Sequence, residues 1–181
     1  LASIDCRNIS EILALKAGLQ KLMGENTRLK IVLDEKSSVI RSDNYNHNES
    51  NNTATLTASV ERNRGRFGTM VLLRELFNNH TILIPDFSAG LQFRLFTGKD
   101  YFVKANISRN SKIPSMNDMF WEPGGNPDLK NEYALIYEIS YEMNQKISDP
   151  FNLKYDMAVF RYSIKDMIQW HPGEYSYWTA D

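Results

Sequence analysis

Two groups of side chains in this sequence have the types that acid–base or metal chemistry needs. Glu138 and Glu142 stand four residues apart in an alternating segment, so both carboxylates share one strand face. Such a pair can act as general acid and base, but carboxylates that line a wet surface are the simpler interpretation. The three histidines, His47, His80 and His171, lie in separate predicted loops, and a metal site would need all three to converge. We therefore expect no catalytic residues, no metal and no cofactor.

A third group suits recognition of a ligand. Asn117, Phe120, Trp121 and Asn126 stand in one long loop, and Tyr45 lies in another. An aromatic plane beside amides suits a large solute that is part polar and part apolar. We predict these five residues as ligand contacts. The alternative is a purely structural segment, in which Trp121 anchors the loop on the rim of the fold.

The long loop, residues 113–130, is the most unusual stretch of the chain. It contains three of the six prolines, Pro114, Pro123 and Pro127. The run 124–126, Gly-Gly-Asn, adds positions that tolerate positive φ. Loops of this length inside a compact domain are uncommon and usually functional. The composition thus predicts one long loop, broken by proline and glycine, between two strands.

Composition excludes several classes of protein. The net charge is −1 and no basic stripe occurs, which argues against an electrostatic nucleic-acid binder. The single cysteine, Cys6, cannot form an internal disulfide. No apolar run approaches the roughly 18 residues of a transmembrane helix. Asp5, Arg7 and Glu11 interrupt any apolar core of a signal peptide.

Period-two alternation predicts the elements that must position these side chains. In residues 133–143, for example, tyrosine, leucine, isoleucine and methionine alternate with glutamate and serine. Proline cannot donate to a strand ladder, and none falls inside the eight predicted strands. The strands are predicted at 12–20, 28–34, 53–61, 67–77, 87–96, 101–109, 133–143 and 153–164.

The predicted connections alternate in length. Short turns are predicted at 23–26, 62–66 and 97–100, with one of middle length at 144–152. Longer connections are predicted at 42–52, 78–86 and 110–132, and a loop-like tail begins at about 166. Short and long connections therefore fall at opposite edges of the sheet, as in outer-membrane barrels. Strands of about ten residues also match the tilted span of a bilayer.

The same alternation builds soluble sandwiches and barrels, whose apolar faces point inward. A soluble β-sandwich module that binds a ligand or a carbohydrate is the alternative, and it predicts that Leu91, Phe93, Ile107 and Ile139 are buried in a core. An enzyme on a β-fold ranks third, because no catalytic set occurs. Aromatic residues at strand ends favour the membrane barrel. They are Phe67, Phe87, Phe96, Tyr101 and Tyr133.

The long loop also carries a motif. Residues 113–121 read Ile-Pro-Ser-Met-Asn-Asp-Met-Phe-Trp, and residues 124–132 read Gly-Gly-Asn-Pro-Asp-Leu-Lys-Asn-Glu. Together they resemble a signature in the barrel of TonB-dependent outer-membrane receptors, which usually reads Pro-Ser-Xaa-Asn-Asp-Leu-Tyr-Trp and then Gly-Asn-Pro-Asp-Leu-Lys-Pro-Glu. Asn131 stands where the family usually has proline. Residues 105–110 and 160–170 are similar to strands on either side of that signature.

The resemblance implies an all-β fold: an antiparallel transmembrane β-barrel of about 22 strands, of which this chain supplies about eight. Residues 1–181 are then expected to be a partial barrel without the plug domain and the final strands. The implied function is binding and import of a scarce solute, such as cobalamin or an iron-siderophore, across the Gram-negative outer membrane. The implied partners are the plug and the remaining strands, the TonB system acting through the plug, outer-membrane lipid and a small-molecule substrate. Neither nucleic-acid binding nor enzymatic activity is expected.

Overall fold

The computed structural model describes residues 7–45, 47–79, 81–173 and 178–181. In these residues the chain forms strands and one short helix. In chain order they are β1 (Asn8–Met23), β2 (Thr27–Ser42), β3 (Glu49–Arg64), β4 (Phe67–Asn78), β5 (Thr81–Ile82), β6 (Asp86–Arg94), β7 (Asp100–Lys112), α1 (Met116–Phe120), β8 (Glu132–Lys146), β9 (Asn152–Lys165), β10 (Trp170–Pro172) and β11 (Trp178–Ala180). No helix in the described ranges is long and apolar enough to span a membrane.

The eight long strands form one antiparallel sheet in the order β1-β2-β3-β4-β6-β7-β8-β9. The two-residue strand β5 pairs with the end of β4. Sequential neighbours are thus spatial neighbours, as in a series of hairpins. All eight predicted strands are confirmed. Within the described residues, β1 and β9 each have a single partner, so these strands do not close a barrel by themselves.

Several strands are longer than predicted. The third strand was expected at 53–61 but runs from Glu49 to Arg64. Its ladder with β2 continues through polar residues, with Asn51 opposite Ser38 and Asn52 opposite Ser37. Backbone pairing does not require apolar side chains, so the sheet extends beyond the alternating apolar band. The connection predicted at 42–52 is correspondingly shorter, at 43–48.

The predicted alternation of short and long connections is confirmed. One edge of the sheet carries the turns 24–26, 65–66, 95–99 and 147–151, and the other carries 43–48, 79–85 and 113–131. Gly24 and Gly65 have φ angles of 65° and 60°, in the left-handed region that favours glycine in tight turns.

The tail after residue 166 was wrongly predicted as loop-like. Strands β10 and β11 pair as a small antiparallel sheet, with His171 opposite Thr179. Each strand is only three residues long, which is too short to give an alternation signal.

One face of the large sheet is apolar. Directly opposed residues of an antiparallel ladder point to the same side. Thr69, Leu91, Ala105, Ile139 and Val159 are aligned in this way across five strands. The side chains of Leu91 and Ile139 are each 64% exposed. We call this side the outer face.

The sandwich alternative predicted burial of this face and is not favoured. Leu91 and Ile139 are exposed, and Phe93 and Ile107 are only half-buried. No second sheet of comparable size packs against the outer face in the described part of the chain.

The opposite side, the inner face, is polar and carries ion pairs between neighbouring strands. Lys16 Nζ lies 3.2 Å from Asp34 Oδ2, and Arg28 Nη1 lies 3.0 Å from Glu61 Oε2. Both pairs are largely solvent-exposed, so each contributes little to stability. Their consistent location marks this side as the polar face of the sheet.

Among the residues that the structure describes, the buried apolar ones lie at the edge with the long connections. They are Tyr45, Leu83, Met116 and Ala180. A single-layer sheet has no interior of its own, so packing concentrates where loops fold over its end. The fold therefore positions a compact loop structure at that edge.

Candidate functional site

The loop between β7 and β8, residues 113–131, is here called the rim loop. It was predicted as an irregular loop, but it contains the helix α1, which Ser115 caps. The backbone N–H of Asp118 donates to Ser115 Oγ over 3.1 Å, and the backbone N–H of Ser115 donates to Asp118 Oδ2 over 2.8 Å. This reciprocal arrangement is a capping box, which satisfies donors that a helix start leaves free. The Ser-Xaa-Xaa-Asp spacing is the sequence signal that predicts it.

Asp118 also joins the rim loop to the small β10–β11 sheet. The indole Nε1 of Trp170 donates to Asp118 Oδ1 over 2.9 Å. Burial pushes the pKa of Asp118 upward, but hydrogen bonds from Trp170 and Ser115 and the charge of Lys112 outweigh it, so the pKa lies below its usual range. The side chain is thus held as a carboxylate that accepts from three donor groups.

Tyr45, in the connection between β2 and β3, contacts the rim loop from the opposite side. Its hydroxyl donates to Asn117 Oδ1, and its ring centroid lies 6.4 Å from that of Phe120. The backbone N–H of Glu122 donates to the carbonyl of Asn44 over 2.8 Å. Burial raises the pKa of the Tyr45 hydroxyl, and the charge of Glu49 raises it further. The hydroxyl therefore remains a hydrogen-bond donor at neutral pH.

The second half of the rim loop folds back on the helix. The N–H of Asn126 donates to the carbonyl of Asp118 over 2.8 Å, and Asn126 Oδ1 accepts from the N–H of Asp128 over 3.0 Å. The N–H of Ala180 donates to the carbonyl of Gly124 over 2.8 Å. A Cβ at Gly124 would lie 1.7 Å from the carbonyl oxygen of Trp178, so the close approach requires glycine.

The structure brings all five predicted contact residues into this one region, at different depths. Tyr45 is buried, Phe120 and Asn126 are half-buried, and Asn117 and Trp121 are exposed. Tyr45 and Phe120 therefore hold the loop, whereas Asn117 and Trp121 present their side chains to the outside. Contact with a ligand stays a prediction.

Sequence reasoning missed the residues that organise the region. Ser115, Asp118, Gly124 and Trp170 were not singled out as individual residues. The first two had a readable signal in the capping spacing. The contacts of Gly124 and Trp170 depend on how the tail packs, which no local pattern records.

The predicted carboxylate pair lies elsewhere, on the inner face. Glu142 forms an ion pair with Lys104 of the neighbouring strand. Glu138 lies opposite Asn106 and borders an inner-face depression of about 280 Å³. Nearby, Gln92 is opposite Lys104. This arrangement agrees with carboxylates that line a wet surface.

The histidines do not converge among the described residues. His47 lies in the 43–48 connection. His171 was expected in a loop but lies in β10, with its Nε2 atom 3.7 Å from Asp181 Oδ2. His80 and Cys6 lie outside the described residues. Within the described ranges, no group of three or more His, Cys, Asp or Glu residues is arranged to hold a metal ion.

Comparison with known proteins gives a consistent family assignment. The protein-family model described as "TonB dependent receptor-like, beta-barrel" matches residues 40–180, well over half of the chain. Two curated relatives are named vitamin B12 transporter BtuB. The chain is 32% identical over 79 residues to that of Photobacterium profundum and 36% identical over 76 residues to that of Vibrio vulnificus. The matches cover 44% and 41% of this chain and 12% of each relative.

Solved structures share the fold at low sequence identity. The siderophore receptor PirA from Pseudomonas aeruginosa superposes with a TM-score of 0.76 at 17% identity, over 91% of this chain and 33% of that chain. The FrpB iron transporter from Neisseria meningitidis (F3-3 variant) gives 0.69 at 14% identity, over 94% of this chain and 31% of that one. The chain thus spans about a third of either structure and much less of the curated relatives.

Proposed function

Because the chain belongs to the TonB-dependent receptor-like β-barrel family, we propose that it forms part of the wall of an outer-membrane transporter that imports a scarce solute. Residues 1–181 supply eight long strands of the wall. The plug domain and the remaining strands belong to other parts of the receptor. The family is one of transporters and not of enzymes. The proposed role of this segment is to enclose the lumen of the barrel and to help capture the solute.

The exposed outer face is the observation that carries this proposal. Large apolar side chains on it are open to the surroundings: Ile139 is 64% exposed and Val159 is 70% exposed. Exposed apolar patches of such extent mark contact with lipid or protein. The inner face carries charged pairs instead, as in a barrel with apolar residues outside and a polar lumen.

The lengths of the connections indicate how the barrel is oriented in the membrane. Transmembrane barrels of bacteria have short periplasmic turns and longer extracellular loops. The rim loop and the 43–48 connection then lie at the outer mouth of the barrel. There they stand where a solute first meets the receptor.

We assign initial ligand contact to the predicted residues of this mouth. Exposed Trp121 supplies an aromatic surface, and Asn117 and Asn126 supply amides beside it. Tyr45 and Phe120 support the surface from below, through the hydroxyl contact with Asn117 and the ring contact between them. Such a surface suits a bulky metal chelate that is part polar and part apolar.

The proposed class of solute is inferred from the names of the similar proteins. Two are named vitamin B12 transporters, and the structural likenesses are a siderophore receptor and an iron transporter. We therefore propose cobalamin or an iron-siderophore as the substrate class. The step driven by TonB acts on the plug, so no residue of this segment performs it.

The test uses the full-length protein that contains this segment. We expect it in the outer-membrane fraction, and we expect its gene deletion to abolish uptake of radiolabelled cobalamin or of one radiolabelled ferric siderophore. A plasmid copy should restore that uptake. Recovery of the full-length protein in the soluble fraction, or unchanged uptake of every chelate in the deletion strain, would contradict the proposal.

A further inference from the structure

All three tryptophans of the chain lie against one pair of glycines in the rim loop, Gly124 and Gly125. A Cβ at Gly124 would meet the backbone of Trp178 and would lie 3.2 Å from Cζ3 of the Trp170 ring. A Cβ at Gly125 would lie 2.6 Å from the backbone nitrogen of Trp121. The two glycines therefore allow tryptophans from two different connections to come together in one place.

The small β10–β11 sheet determines on which of its sides Trp178 lies. Trp170 lies opposite Ala180, and Pro172 lies opposite Trp178. Opposed residues of a ladder project to the same side, and so do residues two apart along a strand. Trp178 therefore shares a side with Trp170 and Ala180. The Trp170 indole bonds to Asp118 and Ala180 is buried, so this side faces the rim loop.

Trp178 continues this packed side but is not covered. It is 58% exposed, whereas Ala180 beside it is 5% exposed. In the described part of the chain, no hydrogen bond, aromatic ring or cation engages its indole. An open indole suits contact with a molecule from outside, because it offers a large rigid surface at a small cost in conformational entropy. Trp121, beside Gly125, offers a second exposed indole.

The charge around the two indoles is negative. In the described residues of the rim loop and of the tail after β9, the exposed acids outnumber the exposed lysines and arginines. The acids are Glu122, Asp128, Asp166 and Asp181, and the one exposed cation of these types in the same residues is Lys130. Such a surface disfavours anionic solutes and accepts neutral or cationic ones. A cationic group can also lie directly over the face of an indole.

We propose that Trp178 is a ligand-contact residue and that, together with Trp121, it binds a flat conjugated ring of a solute without net negative charge. The ring stacks against the exposed indoles in the offset arrangement that aromatic groups prefer. The surrounding acids exclude polyanionic chelates. The proposal rests on the proposed transport function, which puts both tryptophans at the outer mouth, and it narrows the class of solute.

The test measures equilibrium binding of two probes to the full-length receptor in mild detergent. Cyanocobalamin has conjugated corrin and benzimidazole rings and no net charge, whereas a ferric tris-catecholate is a trianion. Wild type should bind cyanocobalamin at least about tenfold more tightly than the trianion. Trp178→Ala should weaken binding of cyanocobalamin about tenfold, the scale of a lost aromatic anchor. Trp178→Phe keeps a flat ring and should stay within about threefold of wild type.

The matched control is His171→Ala, which removes an exposed ring from the opposite side of the same small sheet. It should bind cyanocobalamin like wild type. A second measurement uses wild type alone, so it remains decisive if Trp178→Ala folds poorly. In hydroxyl-radical footprinting, bound cyanocobalamin should slow the oxidation of Trp178 and leave that of Phe151, at the opposite edge of the large sheet, unchanged.

Three binding results would overturn the proposal. They are no binding of cyanocobalamin by wild type, tighter binding of the trianion, and equal affinity of Trp178→Ala and His171→Ala for cyanocobalamin. Unchanged oxidation of Trp178 in the cyanocobalamin complex would overturn it as well.

The proposed transport function is judged by different measurements, namely membrane fractionation and uptake of both chelates. A receptor that lies in the outer membrane and imports only the ferric chelate would refute the two-indole site and leave the transport role intact. A protein absent from the outer membrane would refute the transport role.

Discussion

The indole of Trp170 and the carboxylate of Asp118 are joined by a 2.9 Å hydrogen bond across 52 residues of sequence. The same carboxylate caps α1 through Ser115. One side chain therefore controls both the local conformation of the rim loop and its attachment to the β10–β11 sheet.

Replacing this carboxylate should loosen the rim loop without unfolding the sheet. We expect Asp118→Ala to cost about 0.5–2 kcal/mol of local stability, the usual range for a lost cap. Hydrogen exchange of residues 115–126 in the full-length protein should accelerate, while β7 and β8 keep their protection. Asp128→Asn, an exposed acid in the same loop, is the matched control. Unchanged exchange in Asp118→Ala would show that the cap does not hold the loop.

The same group predicts a pH dependence. The folded state lowers the pKa of Asp118 below its ordinary value of 3.8, so the stabilisation is fully present above that pH. It is lost as the pH falls through the lower folded-state pKa. Protection of residues 115–126, corrected for intrinsic exchange rates, should stay constant from neutral pH to about 4 and decline below it. Asp118→Asn should show a smaller decline, and an equal decline in both proteins would assign the effect to other groups.

Truncation of the exposed aromatic should reduce ligand capture. We expect Trp121→Ala to weaken binding of the transported chelate about tenfold or more, the scale of a binding hot spot. Its level in the outer membrane should not change, because the described hydrogen bonds of Trp121, with Asn117 and Gly125, use backbone atoms. Phe151→Ala, an exposed aromatic at the opposite edge of the sheet, is the control. Unaltered affinity with a more mobile loop would favour the purely structural interpretation of the segment.

Neighbouring positions of β8 offer a direct test of the two faces. Ile139→Arg places a charge at the middle of the outer face and should cost about 2–4 kcal/mol, as measured for arginine near the midplane of membrane barrels. Ser140→Arg points to the inner face, where water is expected, and should cost less than about 1 kcal/mol, the repulsion from Lys104 opposite it. Denaturant titration of the full-length protein in lipid vesicles gives both values. Similar costs for the two variants would exclude lipid contact at Ile139.

Much of the sheet could be predicted from the sequence because alternation is a strong signal over ten residues. All eight long strands and the alternation of connections follow from it. Strand ends could not be predicted, because the ladders continue through polar residues such as Asn51 and Ser38. The β10–β11 sheet was missed because three residues do not establish a period.

The candidate site could be predicted only in part. Loop position and side-chain type led to Tyr45, Asn117, Phe120, Trp121 and Asn126, and the structure brings Tyr45 into contact with Asn117 and Phe120. The attachment of this region to Trp170 depends on three connections meeting in space. The residue pattern along one strand does not show which connections pack against one another.

The contact between Tyr45 and Asn117 bears on the order in which the chain folds. These residues are 72 positions apart, whereas each strand pairs with a neighbour that a short or moderate connection supplies. Closing a hairpin costs less chain entropy than bringing such distant segments together. We therefore expect the contact to form after β3, β4, β6 and β7 have aligned between its two ends. In that order the mouth of the wall assembles last, and an intact contact between Tyr45 and Asn117 would then indicate that the strands beneath it are in register.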